Sequence, residues 1–91
     1  MIHELKIDPV YFKDVQCGDK TFEVRRADRP FAVGDFLALN ECTEHGYTGI
    51  CMLARVSYIL KDARYCRDGF WILGITDCHV IGKDGSEGAR S

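Results

Sequence analysis

Residues 50–60 have the sequence ICMLARVSYIL, and they carry the most regular pattern in the chain. The even-numbered positions are all apolar: Ile50, Met52, Ala54, Val56, Tyr58 and Leu60. The odd-numbered positions are not uniformly apolar, because they include Cys51, Arg55 and Ser57. Successive side chains of a β-strand point to opposite faces, so this period of two predicts one long strand with an apolar face toward a core. The rest of the chain is expected to build a sheet around this strand.

Four shorter β patterns and one helical pattern surround the long strand. The helix is predicted over Asp8–Cys17, because Asp8 can cap its start and Pro9 suits its first position. Gly18 can adopt the left-handed conformation that closes such a helix. The other predicted strands are His3–Ile7, Thr21–Arg26, Phe36–Thr43 and Phe70–Ile75.

The order of these elements predicts the fold class. Consecutive β elements joined by short turns, without a second substantial helix, indicate an α+β domain that is mainly β, with a mainly antiparallel sheet. A sheet in so small a chain protects its edges best by curling toward a barrel, with the single helix plugging one end. The domain is predicted to span residues 1–79, and the polar, glycine-containing residues 80–91 are predicted to form a flexible C-terminal tail.

Composition and charge exclude several classes of protein. The chain has 91 residues, of which 46% are hydrophobic and 29% charged, as is ordinary for one globular domain. The sequence has neither an apolar run that could cross a bilayer nor a secretory signal pattern, so we expect a cytoplasmic protein without a membrane partner. The formal net charge of −2 argues against a broadly cationic surface, so a site for a polyanion must be local.

The five cysteines do not form a metal-binding pattern. No two of them are separated by the two residues typical of zinc sites, and an odd number suits a disulfide framework poorly. We therefore expect reduced cysteines that fill apolar positions, no metal site and no cofactor.

The residues that point to chemistry are Lys20, Glu23 and Arg25. Lys20 stands where the helix ends and a strand begins, and Glu23 and Arg25 lie side by side on one strand face, about 6.5 Å apart. Phe22 and Val24 occupy the opposite face. Two cations beside one carboxylate leave a local positive charge that suits a phosphate or a carbonyl-bearing base. The alternative is a solvated strand face whose charges only keep an edge soluble.

The motif Gly18-x-Lys20-x-x-Glu23-x-Arg25, directly after the first helix, resembles the signature of the ASCH domain, a member of the PUA-like barrels. The turn at residues 33–35 before a hydrophobic strand is similar to the second landmark of that group. More narrowly, several stretches resemble the family called domain of unknown function 3850, and together they cover most of residues 2–75. These stretches are His3–Ile7, Lys20–Arg25, Val33–Phe36, Gly46–Gly49, Val56–Leu60 and Gly69–Gly74.

This resemblance implies a small pseudo-barrel of five to six strands, with one main helix after the first strand. It also implies a cleft between barrel and helix that takes RNA or modified nucleobases, lined by Lys20, Glu23 and Arg25. The chain is accordingly interpreted as a module that binds RNA or a nucleotide-like small molecule, with no obligate protein partner.

The resemblance also leaves an enzymatic alternative open. Some small members of the superfamily are amidohydrolases that act on acetylated cytidine through a lysine, a threonine nucleophile and a distant glutamate. Lys20 matches the lysine, but Glu23 stands where the threonine is expected, and a carboxylate cannot replace an activated hydroxyl. Thr21 would have to act from the neighbouring position. Other members are assigned ribonuclease activity, for which Lys20, Glu23 and Arg25 would hold and cleave a phosphodiester. The enzymatic alternative is therefore a small hydrolase, either an amidohydrolase or a ribonuclease, with Lys20, Thr21 and Glu23 as catalytic residues. A third alternative is an adaptor that binds a protein through its tail.

A further set of residues is predicted to rim a path for a single strand, because cations follow phosphates and aromatic faces stack on bases. We add Arg26 and Tyr65 from this set to the predicted ligand-binding residues. The other members are Arg29, Arg64, Arg67, Tyr47 and Trp71, of which Trp71 is better explained as a core residue.

Overall fold

The computed structural model describes residues 1–82, and the structural statements below concern that part of the chain. All six predicted elements are present, and the helix follows the first strand as predicted. Gly18, just beyond the helix, has a φ of 86°, which is the left-handed conformation expected of it. The elements are β1 (Ile2–Ile7), α1 (Pro9–Gln16), β2 (Phe22–Arg26), β3 (Phe36–Thr43), β4 (Gly46–Leu60) and β5 (Phe70–Ile81).

The five strands form one curled sheet in the shape of a half-barrel, with the spatial order β1-β3-β4-β5-β2. Three of the four strand pairs are antiparallel, whereas β1 and β3 are parallel. The parallel pair arises because β2 crosses to the far side of the sheet and pairs with β5 before the chain returns to β3. As a result β1 and β2 are the two edges of the sheet. Helix α1 packs against β3 and β5.

The core lies on the concave side of this sheet and under the helix. Phe12 and Val15 of α1 meet buried side chains from β1, β3, β4 and β5. Phe31, in the loop between β2 and β3, is also buried. The fully buried members are Leu37, Leu39, Met52, Ala54, Val56 and Leu73.

A β-bulge in β4 changes which face of the strand is buried. The pairing with β5 shifts between Val56 and Tyr58, leaving Ser57 as the extra residue. One extra residue reverses the alternation of side chains that follow it. Tyr58 is therefore 62% exposed, while Ile59 packs against the core. The prediction of a single apolar face is confirmed up to Val56 and is wrong for Tyr58.

Strand β5 is longer than the predicted Phe70–Ile75. It continues to Ile81, which pairs with Cys51, across a second irregularity where Asp77 adopts a φ of 54°. The exposed residues around this irregularity lack the alternation by which a strand is identified in sequence. Residues 80 and 81 of the predicted tail therefore belong to β5, and residues 83–91 lie outside the described part of the chain.

Within residues 1–82 no helix is long and apolar enough to span a membrane, since α1 has only eight residues.

Candidate functional site

The polar face of β2 is turned into the protein. Glu23 is 4% exposed, whereas the apolar neighbours Phe22 and Val24 are 42% and 51% exposed. Hydrophobicity alone favours the opposite orientation, because a buried carboxylate must be compensated by partners. The burial of Glu23 therefore indicates that its carboxylate has such partners. The exposure of Phe22 and Val24 indicates that they line a cavity at the surface.

The partners of Glu23 are Lys20 and Arg25. Lys20 Nζ lies 2.5 Å from Glu23 Oε2, and Arg25 Nη2 donates to Glu23 Oε1 at 2.9 Å. The two cationic side chains are themselves only 16% and 19% exposed. Each carboxylate oxygen thus receives a charge-assisted hydrogen bond, which offsets the cost of removing the acid from water. The structure brings together the three residues that the sequence pattern singled out.

Lys20 is enclosed by further contacts on the helix side of the cluster. Its ammonium group donates to the backbone oxygen of Phe22 at 2.6 Å. The same group lies 4.8 Å from the ring centroid of Phe22 and 5.4 Å from that of Tyr11 in α1. These are distances at which a cation is attracted to an aromatic face. The two rings hold the lysine against the carboxylate.

Arg25 connects the two edges of the sheet. Its Nη2 atom donates to the backbone oxygen of Lys6 in β1 at 2.6 Å, in addition to its bond with Glu23. The Nε atom of Arg25 is buried and has no partner among residues 1–82. We call the gap between β1 and β2 the seam, and the Arg25 contact with Lys6 the bridge across it.

Two cavities lie in the seam, one on each side of the bridge, and both are lined by Lys6 and Arg25. The helix-side cavity has a volume of about 490 Å³. Its lining combines Lys20 and Glu23 with the exposed apolar side chains of Tyr11, Phe22 and Val24. The loop-side cavity has a volume of about 620 Å³. Its lining includes Arg26, Arg29, Phe31, Asn40 and Tyr47. Both volumes fall in the range of small-molecule sites.

Some of the remaining predicted residues line a cavity, and others do not. Arg26 lines the loop-side cavity, as do Arg29 and Tyr47. Thr21 is exposed just before β2 and lines neither cavity. Tyr65 is 69% exposed in the loop between β4 and β5, where the guanidinium carbon of Arg64 lies 5.3 Å from its ring centroid. Tyr65 lines neither cavity, so the structure does not bring it to the Lys20 cluster.

Two residues of the seam were missed in the sequence, Lys6 and Asn40. They are directly paired across the parallel strands β1 and β3. Lys6 lies out of phase with the buried residues of β1, so its exposure could be predicted, but its approach to Arg25 depends on the curl of the sheet. Trp71 packs against the core, as predicted.

Residues 1–82 contain no group of three His, Cys, Asp or Glu side chains close enough to hold a metal ion. The cysteines are all free thiols. Burial raises the pKa of the Cys51 and Cys78 thiols, which disfavours their reactive thiolate form.

A second polar cluster is centred on His3 and Asp35, which line neither cavity. The buried His3 ring bonds through Nε2 to Asp35 Oδ2 at 2.8 Å and packs on Phe31 with ring centroids 4.6 Å apart. The hydrogen bond with His3 holds the pKa of Asp35 below its ordinary value, and the backbone N–H of Ala32 contributes to this shift. The cluster ties β1 to the turn before β3, and we interpret it as structural.

The fold and the seam define a mainly β domain with a curled five-stranded sheet and a charged cleft beside its helix. The chain belongs to the family described as "Domain of unknown function (DUF3850)", which it matches over residues 2–75. It is 39% identical over 67 residues to the "Uncharacterized 12.9 kDa protein in GpA 3'region" of Escherichia phage P2. The aligned region covers 74% of this chain and 62% of that relative, so the chain spans less than two thirds of the relative's length.

Proposed function

We propose that this chain is a PUA-like domain of the ASCH type that binds RNA or a nucleotide-like ligand in the helix-side cavity. The observation that carries the proposal is the Glu23 carboxylate, buried between Lys20 and Arg25 at the floor of that cavity. A solvated edge face, the alternative for these charges, leaves such side chains in water. Here all three are largely withdrawn from solvent.

The chemistry of the cavity suits a nucleobase and its phosphate. Tyr11 and Phe22 offer aromatic surface on which a base can stack, and unpaired bases are commonly recognised in this way. An ammonium group has three donors, of which Lys20 uses two for Glu23 and the backbone oxygen of Phe22, leaving one for a ligand. Lys6 lines the same cavity and has no carboxylate within 4 Å among residues 1–82, so its ammonium group offers further donors. Convergent donors beside apolar walls are typical of small-molecule sites.

We favour binding over hydrolysis for two reasons. The Lys20 ammonium group, which would have to activate a nucleophile, is engaged by the Glu23 carboxylate. Thr21, the candidate nucleophile, lines neither cavity. The hydrolase alternative has its own test: turnover of acetylated cytidine or of labelled RNA that is lost in Lys20→Met would favour it over simple binding.

A cytoplasmic location is part of the proposal. Its support is that the five cysteines are all unpaired thiols, as is usual in a reducing compartment.

The experiment uses two double variants that have the same net charge as each other. Their affinities for uridine monophosphate and for a short RNA are measured at low salt. Lys20→Met with Glu23→Gln removes one charge of each sign from the cluster and leaves Arg25 with an amide oxygen as acceptor in place of its acid. Lys13→Met with Glu44→Gln removes one exposed charge of each sign, at positions that line neither cavity. We expect the first variant to bind about tenfold more weakly, the equivalent of one charged hydrogen bond, and the second to bind like wild type. Equal affinities of the two folded variants would contradict the proposal.

A further inference from the structure

The loop-side cavity is lined by cationic groups that have no close carboxylate partner. Among residues 1–82, Lys6 and Arg26 have no carboxylate within 4 Å. The nearest carboxylate of Arg29 belongs to the exposed Asp28, at 3.9 Å, a contact that is weak in water. Unpaired cations gathered around a cavity, in a chain with a net charge of −2, provide a local site for an anion.

The same cavity offers an exposed aromatic surface. Tyr47 of β4 is 62% exposed, and Lys6 Nζ lies 5.7 Å from its ring centroid. Arg26 also lines this cavity, and its guanidinium carbon lies 5.0 Å from the ring centroid of Phe70. A free aromatic face beside cations is the combination that binds a base together with its phosphate.

The two cavities are continuous in their lining. Lys6 and Arg25 belong to both, and the bridge between them stands at the junction. A ligand that lies along the seam therefore passes from the helix-side cavity, over the bridge, into the loop-side cavity. A single nucleotide occupies one cavity, whereas a chain of nucleotides can occupy both.

We propose that the loop-side cavity is a subsite for a second nucleotide, so that the ligand of the seam is single-stranded RNA of two or more nucleotides. This inference rests on the proposed function of the helix-side cavity. In the proposed complex Lys6, Arg26 and Arg29 contact the phosphate, and Tyr47 stacks on the base.

Of the two acidic residues that line the cavity, Asp28 is available to a ribose hydroxyl group. The carboxylate of Glu4 is already hydrogen-bonded within the protein, since its Oε1 atom accepts a hydrogen bond from Asn40 Nδ2 at 2.9 Å. The Asp28 side chain is 59% exposed and can accept a hydrogen bond from a ribose 2′-hydroxyl, a donor that DNA lacks.

The test compares the binding of uridine monophosphate with that of the 5′-phosphorylated dinucleotide pUpU, at low salt, by wild type and three variants. Arg26→Gln and Tyr47→Ala remove two separate features of the loop-side cavity. Arg55→Gln is the matched control for Arg26→Gln, because Arg55 is an exposed arginine on a strand and lines neither cavity. The deoxy form of the dinucleotide tests the choice of RNA.

Wild type is expected to bind pUpU about tenfold more tightly than the mononucleotide, as one added stacked base provides. Arg26→Gln and Tyr47→Ala should remove most of this gain and leave the affinity for the mononucleotide unchanged, whereas Arg55→Gln should retain the gain.

Equal affinities of wild type for the two ligands, or a gain that survives in both cavity variants, would overturn the inference while the proposed function stands. Equal binding of the deoxy dinucleotide would overturn the assignment to RNA. If wild type binds neither ligand, the proposed function fails as well.

Discussion

At the scale of single residues, Glu23 determines the character of the seam. Its carboxylate is 4% exposed and bonded on opposite oxygens by Lys20 and Arg25. Removing one member of such a buried set leaves uncompensated charge, which costs far more than the loss of a surface ion pair. The cluster therefore contributes to the stability of the fold as well as to the candidate site. For each variant, the stability of the protein and its affinity for a ligand must be measured separately.

Glu23→Ala should lower the free energy of unfolding by about 3 kcal/mol, because it leaves two largely buried cations without their acid. Glu23→Gln should cost less, since the amide oxygen still accepts one hydrogen bond. Urea denaturation at neutral pH measures both. Values within about 0.5 kcal/mol of wild type for both variants would indicate a solvated surface cluster instead.

Asp35 should make the stability of the protein depend on acid pH. Because its pKa is lower in the folded protein than the ordinary 3.8, its contribution is fully present above about pH 3.8 and is lost as the pH falls through the lowered value. Melting temperatures of wild type and Asp35→Asn should therefore differ at neutral pH and converge toward pH 2. Asp68→Asn, at an exposed position, is the control for the loss of one carboxylate. A difference for Asp35→Asn that does not shrink in acid would contradict this linkage.

The sequence predicted which side chains of β2 share a face, but not which face is buried. Alternation places Glu23 beside Arg25 and opposite to Phe22 and Val24. Hydrophobicity then favours burying Phe22 and Val24, and the structure has the reverse. The reason is long-range: Arg25 reaches the backbone of Lys6, nineteen residues away, only when the sheet has curled.

At the scale of elements, the helix and strands follow from local patterns, and the bulges do not. Alternation located β4, and Gly18 marked the end of α1. The extra residue at Ser57 cannot be recognised in the sequence. In residues 56–60 the side chains that face the core could be either the even-numbered or the odd-numbered ones. The pairing with β5 decides between them, and it is set by contacts distant in sequence.

Two alanine substitutions test which side chains face the core after Ser57. Ile59→Ala should lower the free energy of unfolding by about 2 kcal/mol, because Ile59 packs against the core. Tyr58→Ala should change it by about 0.5 kcal/mol or less, since Tyr58 is 62% exposed. Denaturant unfolding of both variants measures the difference. A larger loss for Tyr58→Ala would indicate an uninterrupted alternation and contradict the bulge.

At the scale of the whole molecule, the candidate site exists because the two edges of the half-barrel approach each other. The cavity linings draw on β1, α1, β2, β3 and β4 and on the loop after β2. The sequence could identify Lys20, Glu23 and Arg25, which lie within six residues of one another. It could not identify Lys6 or Asn40 as their neighbours, because only the topology brings those residues to the seam.

The net charge of −2 limits how strongly salt can affect binding. Few phosphates can be neutralised in the seam, so a plot of log affinity against log salt for a single-stranded RNA of about ten nucleotides should have a slope of about −1 to −2. Affinities measured across a range of ionic strength test this. A slope of about −4 or steeper would indicate a broad cationic surface and not a local cleft.

The most direct test of the seam as a nucleotide site is a map of backbone amide chemical shifts during titration with uridine monophosphate at low salt. The predicted result is a saturable set of changes at Lys6, at Tyr11, at Lys20 and at residues 22–25. Changes confined to the exposed loop at residues 61–69, or none at millimolar ligand, would contradict it.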